Sequence, residues 1–214
     1  MGVLPFENLY LEFRTSLGRA FVIADPHIGF EIERGVRIRS GFEGRLAEFI
    51  VGVDPDILVI LGDLKEPLGM GFATKKLLTE FFSKLGDTKV VITKGNHDGR
   101  IEEVTKKFPN VKVVEYLLLD RKLFLHGHTR LPKAEFEEVY LGHIHPTYSI
   151  KTGGAIRKVK VFVRKGPFLV LPTINPYIEG FDVREGIKMV PFLKGRTEFD
   201  LFLPEGVYLG KIRV

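Results

Sequence analysis

The 214-residue chain contains no cysteine and no tryptophan. Without cysteine, disulfide bonds and thiolate metal sites are excluded, and a reducing compartment is the natural setting. No stretch reaches the roughly eighteen consecutive apolar residues that a membrane helix requires, so no membrane span is expected. Residues 1–14 lack the basic, apolar and small-residue order of a signal peptide. We therefore expect a cytoplasmic protein.

The composition that is present is ordinary for a folded globular protein. Hydrophobic residues make up 44% of the chain and charged residues 28%. A chain of this length fits one domain spanning residues 1–214, and no Ser/Gly-rich linker divides it. The net charge of +5 and a pI near 9.3 permit an anionic partner without requiring one. The sequence carries no signal for an oligomeric state.

The first half of the chain alternates apolar strands with amphipathic helices. Both faces of these strands are apolar, which is typical of a sheet covered on both sides. Asp54-Pro55 and Gly86 follow the two helical patterns and are the expected stop signals. The predicted strands are 9–13, 19–24, 57–61 and 89–93, and the predicted helices are 42–53, 72–85 and 101–107.

After Pro109 the pattern changes to short strands with tight turns and little helical periodicity. We interpret this half as a second sheet that packs on the first. The predicted strands are 111–114, 117–119, 122–125, 139–141, 158–164, 168–171, 199–203 and 207–212.

All six histidines lie in short polar motifs that directly follow predicted strands. Histidines used only for packing would not be confined in this way. The ends of strands are also where α/β sheets bind their ligands. The motifs are Asp25-Pro26-His27, Gly62-Asp63, Gly95-Asn96-His97-Asp98, His126-Gly127-His128 and Gly142-His143-Ile144-His145.

These motifs supply the donors of a metal site. Residues i and i+2 of an extended segment point to one side, so Asp25 with His27, and His143 with His145, should each aim two donors at one spot. Imidazole nitrogen and carboxylate oxygen suit Mn, Zn, Fe or Co. Seven donors are too many for one small ion and fit two, which a bridging Asp63 would hold ~3.5–4 Å apart. Such a positive centre attracts phosphate.

The ordered series D-x-H, G-D, G-N-H-D, H and G-H-x-H resembles the calcineurin-like metallophosphoesterase superfamily, and it extends from Asp25 to His145. The resemblance implies a four-layer α/β/β/α sandwich of two packed mixed sheets flanked by helices. It implies that His97 acts on the leaving group, supported by Asp98. It also implies one metal held by Asp25, His27, Asp63 and His145, and a second held by Asp63, Asn96, His126 and His143.

Two details place the chain within that superfamily. The segment around Asp25 looks most like small archaeal and bacterial phosphoesterases related to DNA-repair nucleases. The chain departs from the common GDxxD pattern with Gly62-Asp63-Leu64-Lys65-Glu66, whose last position is normally not a direct ligand. GNHD in place of GNHE, and no arginine soon after Asp63, argue against the phosphoprotein phosphatase branch.

The resemblance therefore predicts a dimetal phosphoesterase that hydrolyses a phosphodiester, in a nucleotide or nucleic acid, by in-line attack of a metal-bridging hydroxide. Manganese is the expected metal, with zinc, iron and cobalt as alternatives. A phosphomonoesterase acting on small metabolites or proteins is one rival function. A non-catalytic, metal-stabilised binding module is another, because a fold can persist without its chemistry.

Three further features are open to two interpretations each. His128 either contacts the substrate, as Asn96 is also expected to do, or only packs. The stretch 157–165 alternates valines with mostly basic residues, and a solvated strand face is favoured over a nucleic-acid surface. Arg34, Arg37 and Arg39 either steer an anionic substrate or are merely exposed.

Overall fold

The computed structural model describes Phe6, residues 8–35 and residues 39–214. The strands are β1 Leu11–Thr15, β2 Gly18–Ile23, β3 Ile57–Ile60, β4 Lys89–Thr93, β5 Val111–Val114, β6 Tyr116–Leu119, β7 Lys122–Leu125, β8 Glu138–Leu141, β9 Pro146–Thr152, β10 Ala155–Lys160, β11 Phe162–Lys165, β12 Phe168–Val170, β13 Phe181–Asp182, β14 Glu198–Phe202 and β15 Tyr208–Arg213. The helices are α1 Phe30–Glu33, α2 Phe42–Val53, α3 Phe72–Leu85, α4 Glu102–Thr105 and α5 Val183–Gly186, followed by a 3-10 turn at Ile187–Met189.

The first sheet has the strand order β1-β2-β3-β4-β5. Strands β2 to β5 are parallel, and β1 pairs antiparallel with β2 at the edge. Consecutive parallel strands need crossovers, and the helical segments α2 and α3 provide the two between β2 and β4. As a result, the loops that follow β2, β3 and β4 all emerge at one edge of the sheet.

Helices α2 and α3 cover one face of this sheet. Helix α2 buries Phe42, Leu46 and Ile50, three residues on one helical stripe. It ends at Asp54, which has a left-handed backbone, and Pro55 prevents its continuation. Helix α3 buries Leu77, Leu78, Phe81, Phe82 and Leu85 and ends at Gly86, where φ is 58°. Apolar periodicity alone predicted both helices correctly.

The second sheet has the order β15-β14-β11-β12-β8-β7-β6, in which β12, β8 and β7 are parallel. It packs against the free face of the first sheet. Side chains such as Val22 and Val59 from the first sheet share one buried cluster with Phe124 and Phe162 from the second. The prediction of two packed mixed sheets is confirmed.

A thinner layer covers the outer face of the second sheet. It contains the small sheet β10-β9-β13, helix α5 and the 3-10 turn. Val183, Ile187, Val190 and Leu193 of this layer are buried in one cluster with the second sheet. The four-layer sandwich is therefore confirmed, although its last layer holds only one four-residue helix. Within the part of the chain that the structure describes, no helix has the length and apolar character to cross a membrane.

The predicted strand 158–164 is wrong as a single element. The chain leaves the small sheet after Lys160 and enters the second sheet at Phe162, with the Val161 N–H donated to the Pro146 carbonyl between them. The basic stretch 157–165 is therefore divided between two sheets, and the strands β9 and β13 that pair within the small sheet were missed. The sequence predicts no definite element for residues 31–40, because Gly35 interrupts the helical spacing of Ile32 and Val36. In the structure α1 covers Phe30–Glu33, and residues 36–38 lie outside the described part of the chain.

Candidate metal centre

The motifs follow the strand ends that face one another across the two sheets. Asp25, Asp63 and Asn96 come after the parallel strands β2, β3 and β4, and His126 and His143 come after the parallel strands β7 and β8. Because parallel strands present their carboxyl ends at one edge, packing the two sheets joins these loops. All the predicted metal ligands lie in this one region.

Asp25, His27 and His145 form the first group of donors, which we call group one. Each offers a ligand atom, and these atoms all lie within 4.8 Å of one another. The Nε2 atoms of His27 and His145 are 2.9 Å apart, and Asp25 Oδ2 is 3.6 Å from His145 Nε2. This geometry can hold one divalent ion.

Asp63, His126 and His143 form the second group, which we call group two, again with ligand atoms within 4.8 Å of one another. His126 Nε2 is 3.4 Å from Asp63 Oδ2 and 3.1 Å from His143 Nδ1. The amide oxygen Oδ1 of Asn96 lies 3.1 Å from the same His126 atom. Asn96 therefore lies beside group two, and its role as a ligand stays a prediction.

Asp63 lies between the two groups. Its Oδ2 atom is 3.4 Å from His126 Nε2 and 3.9 Å from His27 Nε2. Its other oxygen, Oδ1, accepts the backbone N–H of His97 at 2.8 Å. One carboxylate thus reaches donors of both groups while its second oxygen is fixed by the backbone, which is the placement a bridging ligand requires.

The donor set fits divalent cations. His126 Nδ1 lies 3.0 Å from the Leu61 carbonyl, which can only accept, so Nδ1 carries the proton and Nε2 of the neutral ring has a lone pair. That lone pair faces Asn96 Oδ1 and Asp63 Oδ2, which are also acceptors. Buried acceptors without a donor are costly, and a cation at this point satisfies all three.

The electrostatics also call for positive charge. Burial lowers the pKa of His126, but the Asp25 and Asp63 carboxylates outweigh it and raise that pKa well above its ordinary value. For Asp63 burial acts in the opposite direction and raises the pKa, but His126 and His27 hold that pKa below its ordinary range. The carboxylates thus draw a proton onto an imidazole, and bound cations would supply the same charge.

The glycines of two motifs leave room for these ligands. A Cβ atom at Gly62 would overlap the ring of His126, and a Cβ at Gly95 would overlap the Asp63 carboxylate. Gly62 also has a left-handed φ of 73°. The Gly-Asp and Gly-Asn-His-Asp motifs therefore require glycine because side chains from the neighbouring loops occupy the space beside it.

The expectation that extended backbone pairs the donors of each motif is wrong. Asp25, His27, His143 and His145 all have positive φ values, between 42° and 76°, so these segments are not extended. His143 belongs to group two and His145 to group one, so they do not aim at the same spot. Such left-handed residues are energetically unfavourable and cluster at functional sites.

His97 is held on two sides beside the donor groups. Its N–H donates to Asp63 Oδ1, and its ring Nδ1 lies 2.8 Å from the Glu66 carbonyl. That carbonyl accepts, so Nδ1 carries a proton and Nε2 is the nitrogen left to act. The side chain is 29% exposed, and it lines a cleft together with His27 and His145.

The structure gives Asp98 a different place from the expected one. It is buried, and its oxygens accept the backbone N–H groups of Leu64 and Gly95, each at 2.9 Å. Burial raises its pKa. The group that holds the His97 ring is the Glu66 carbonyl. The expectation that Asp98 supports this ring is therefore corrected: Asp98 joins the loops that carry Asp63 and His97.

Two neighbours of Asp63 were missed as functional residues. Lys65 is fully buried, and its Nζ donates to the carbonyls of Pro67, Leu68 and His97. Glu66 Oε2 lies 2.5 Å from His27 Nδ1. The sequence feature that could have indicated them is the departure from GDxxD at Lys65 and Glu66. Charged side chains so close to a metal-ligand motif are costly to bury and therefore need specific partners.

His128 lies beside group two without joining it. Its ring centroid is 5.0 Å from that of His126 and 6.1 Å from that of His143. Burial lowers its pKa, and its buried Nδ1 has no hydrogen-bond partner among the residues that the structure describes. A substrate contact by His128 stays a prediction.

A cleft of about 590 Å³ opens beside group one and His97. Its lining residues are His27, Arg34, Glu66, His97, His145 and the segment 177–181. Of the three arginines singled out in the sequence, Arg34 lies in this cleft. Arg39 instead pairs with Glu43 and Glu80, each at 2.8 Å. Arg37 lies outside the described residues.

Two packed mixed sheets with two groups of histidine and carboxylate donors at their facing edges are typical of a metal-dependent hydrolase. The family model described as calcineurin-like phosphoesterase matches residues 18–176, and the chain belongs to that family. A search of curated proteins found no match.

The chain is similar to solved structures. The chain is 20% identical to nuclease MPE of Pseudomonas putida, with a TM-score of 0.66 over 94% of this chain and 99% of that one. Yfce, a phosphoesterase from E. coli, is 16% identical, with a TM-score of 0.45 over 91% of this chain and 98% of that one. At these identities the likeness to the nuclease establishes the fold.

Proposed function

We propose that the protein is a metal-dependent phosphodiesterase that acts on a nucleotide or nucleic acid. The observation that carries the proposal is the position of Asp63, whose carboxylate reaches the donors of both groups and also fixes the backbone of His97. Two metal sites and a proton donor are thereby joined by one side chain. Manganese is the proposed metal, with zinc, iron and cobalt as alternatives, because nitrogen and oxygen donors suit all four.

Bound at the two groups, divalent ions would supply Lewis acidity for the phosphoryl oxygens and lower the pKa of water towards ~7. The protein then has three tasks. Groups one and two would hold the divalent ions, whose positive charge attracts the phosphate. The Glu66 carbonyl keeps a proton on His97 Nδ1, so that Nε2 is directed to the substrate. A proton on that Nε2 can be given to the departing oxygen.

The preference for a diester is supported by the cleft and the charge. Several side chains at the rim of the cleft, including Arg34, Tyr177 and Phe181, are exposed, so a substrate can extend beyond the reacting phosphate. The net charge of +5 favours a polyanion. The Pseudomonas putida protein of the same fold is named as a nuclease, which agrees with this choice.

The proposed location is the cytoplasm, on the basis of the cysteine-free composition.

The test combines metals with substrates. Metal-stripped protein is loaded separately with manganese, zinc, iron, cobalt or magnesium and assayed on methyl nitrophenyl phosphate, nitrophenyl phosphate and DNA, both single- and double-stranded. We expect manganese to restore hydrolysis of the diester and of DNA, with Asp63→Asn inactive under every condition. Faster turnover of the monoester would show a phosphomonoesterase. Metal binding without turnover of any substrate would show a binding module.

A further inference from the structure

The segment 177–181 forms one wall of the catalytic cleft and has an exposed aromatic residue at each end. Tyr177 is 46% exposed and Phe181 is 47% exposed. The lining of this cleft also includes His27, His97 and His145, so both aromatic side chains belong to the same cleft as the reacting groups. Exposed aromatic rings beside a reactive centre are a common feature of surfaces that bind flat, apolar ligand groups.

Tyr177 is fixed in position. Its ring stacks on Phe30, with centroids 5.2 Å apart and an angle of 17° between the planes. Its hydroxyl accepts from Arg45 Nη2 at 2.7 Å, and its backbone N–H donates to Asn175 Oδ1 at 3.0 Å. One face of the ring is thereby occupied by Phe30. Phe42 also contacts the ring, with centroids 6.5 Å apart and an angle of 83° between the planes. Because Tyr177 is still nearly half exposed in the cleft wall, part of its ring surface is accessible to a ligand.

The same contacts fix the ring relative to the metal ligands. Asn175, which holds the Tyr177 backbone, also donates from Nδ2 to the Pro26 carbonyl at 2.8 Å. Pro26 lies between the ligands Asp25 and His27. Thr173 adds a second tie, because its hydroxyl donates to the Asp25 carbonyl at 2.6 Å. The loop that carries group one and the aromatic wall are therefore one connected unit.

We propose that Tyr177 is a stacking platform for an unpaired nucleobase next to the reacting phosphate, so that the substrate is single-stranded nucleic acid. This inference rests on the proposed phosphodiesterase function. Within a duplex both faces of a base are covered by its neighbours, and only an unpaired base can offer a face to the ring. Every base has such a face, so the platform would bind without sequence preference. Arg34, in the same cleft, is placed to meet the phosphates of the strand.

The experiment separates stacking from charge. Fluorescence anisotropy with manganese-loaded protein measures the binding of two strands of equal length, one carrying bases and one fully abasic. Both strands have phosphorothioate linkages to resist cleavage. Tyr177→Ala should weaken binding of the base-bearing strand about tenfold, the effect of one lost base stack. It should leave binding of the abasic strand unchanged, and Tyr177→Phe should restore binding of the base-bearing strand.

Tyr208→Ala is the matched control, because Tyr208 is 52% exposed on β15 and does not line the cleft. It should alter the binding of neither strand. Melting temperatures of all variants verify that they fold. An equal loss on both strands, or no loss on either, would overturn the platform. If the wild-type protein hydrolyses no diester, the proposed function fails on that separate result, while the anisotropy comparison still decides whether Tyr177 stacks on bases.

Discussion

Glu66 Oε2 lies 2.5 Å from Nδ1 of His27, while the other ring nitrogen of His27 faces His145 and Asp63. A carboxylate this close favours a proton on Nδ1, so in the neutral ring Nε2 carries the lone pair that a metal needs. Metal-binding histidines commonly receive this kind of support, which fixes the tautomer and the ring orientation. Glu66 therefore acts on group one without being one of its ligands.

The first prediction is that Glu66→Ala weakens metal binding at group one by about 10–100-fold, the usual effect of losing such a partner. Group two should retain its metal, because Glu66 makes no contact with His126 or His143 among the described residues. Calorimetric titration of metal-free protein with manganese measures both sites. Glu48→Ala, which changes an exposed carboxylate on α2, is the control. Equal affinities in Glu66→Ala and the wild type would contradict the role assigned to Glu66.

The second prediction concerns the shared carboxylate. Asp63→Asn should reduce the metal content of both sites together, since one oxygen of Asp63 faces both groups. His27→Ala should empty mainly one site, because His27 belongs only to group one of the two. Elemental analysis of the purified variants gives the number of metals per chain. A wild-type protein that never holds more than one metal would contradict the dinuclear centre.

The parts of the fold that the sequence predicted well depend on local patterns. The stripe of Phe42, Leu46 and Ile50 and the stop at Gly86 require no knowledge of distant residues. The break at Val161 was missed because it is set by a partner fifteen positions earlier, the Pro146 carbonyl. Short strands such as β13, only two residues long, carry too little periodicity to detect.

The site shows the same division. Residue types and the order of the motifs indicated the candidate ligands, because all six histidines lie in short polar motifs that follow strands. Their backbone geometry was not predictable, since non-glycine residues such as Asp25 and His145 seldom adopt positive φ. The role of Glu66 depends on the loop after β3 reaching His27, a contact that no spacing in the sequence encodes.

The third prediction uses the half-buried position of Lys160. Its Nζ donates to the carbonyls of Thr173 and Asn175, and burial lowers its pKa to about 7. The unfolded chain holds this proton up to about pH 10, so the unfolded state binds more protons between about pH 7 and pH 10. Over that range the free energy of unfolding of the wild type should therefore rise relative to that of Lys160→Met.

Urea unfolding at several pH values measures this difference. Lys158→Met is the matched control, because Lys158 is exposed on the same strand. If the difference in free energy of unfolding between the wild type and Lys160→Met stays constant across this range, the lowered pKa of Lys160 is contradicted.

The fourth prediction concerns the remaining basic residues of β10. Arg157 and Lys158 are exposed, and Lys158 lies 3.5 Å from Glu179 in the cleft wall. Arg157→Glu combined with Lys158→Glu should weaken binding of a single strand and flatten its salt dependence, by about 0.7 in slope for each lost phosphate contact. Arg164→Glu, in the second sheet, should leave the slope unchanged. An unaltered slope in the double variant would mean that this strand is only solvated.

The last prediction concerns His97 and separates an enzyme from a binding module. Its ring is held by the Glu66 carbonyl, and it belongs to neither group one nor group two. His97→Ala should therefore keep both metals and the fold, yet lower turnover by roughly 10²–10⁴, the usual contribution of a general acid. The loss should be greatest for esters with poor leaving groups such as sugar alkoxides, and smallest for nitrophenolate, which departs without a proton. Equal losses on both ester types would exclude proton donation, and no loss would favour the binding module.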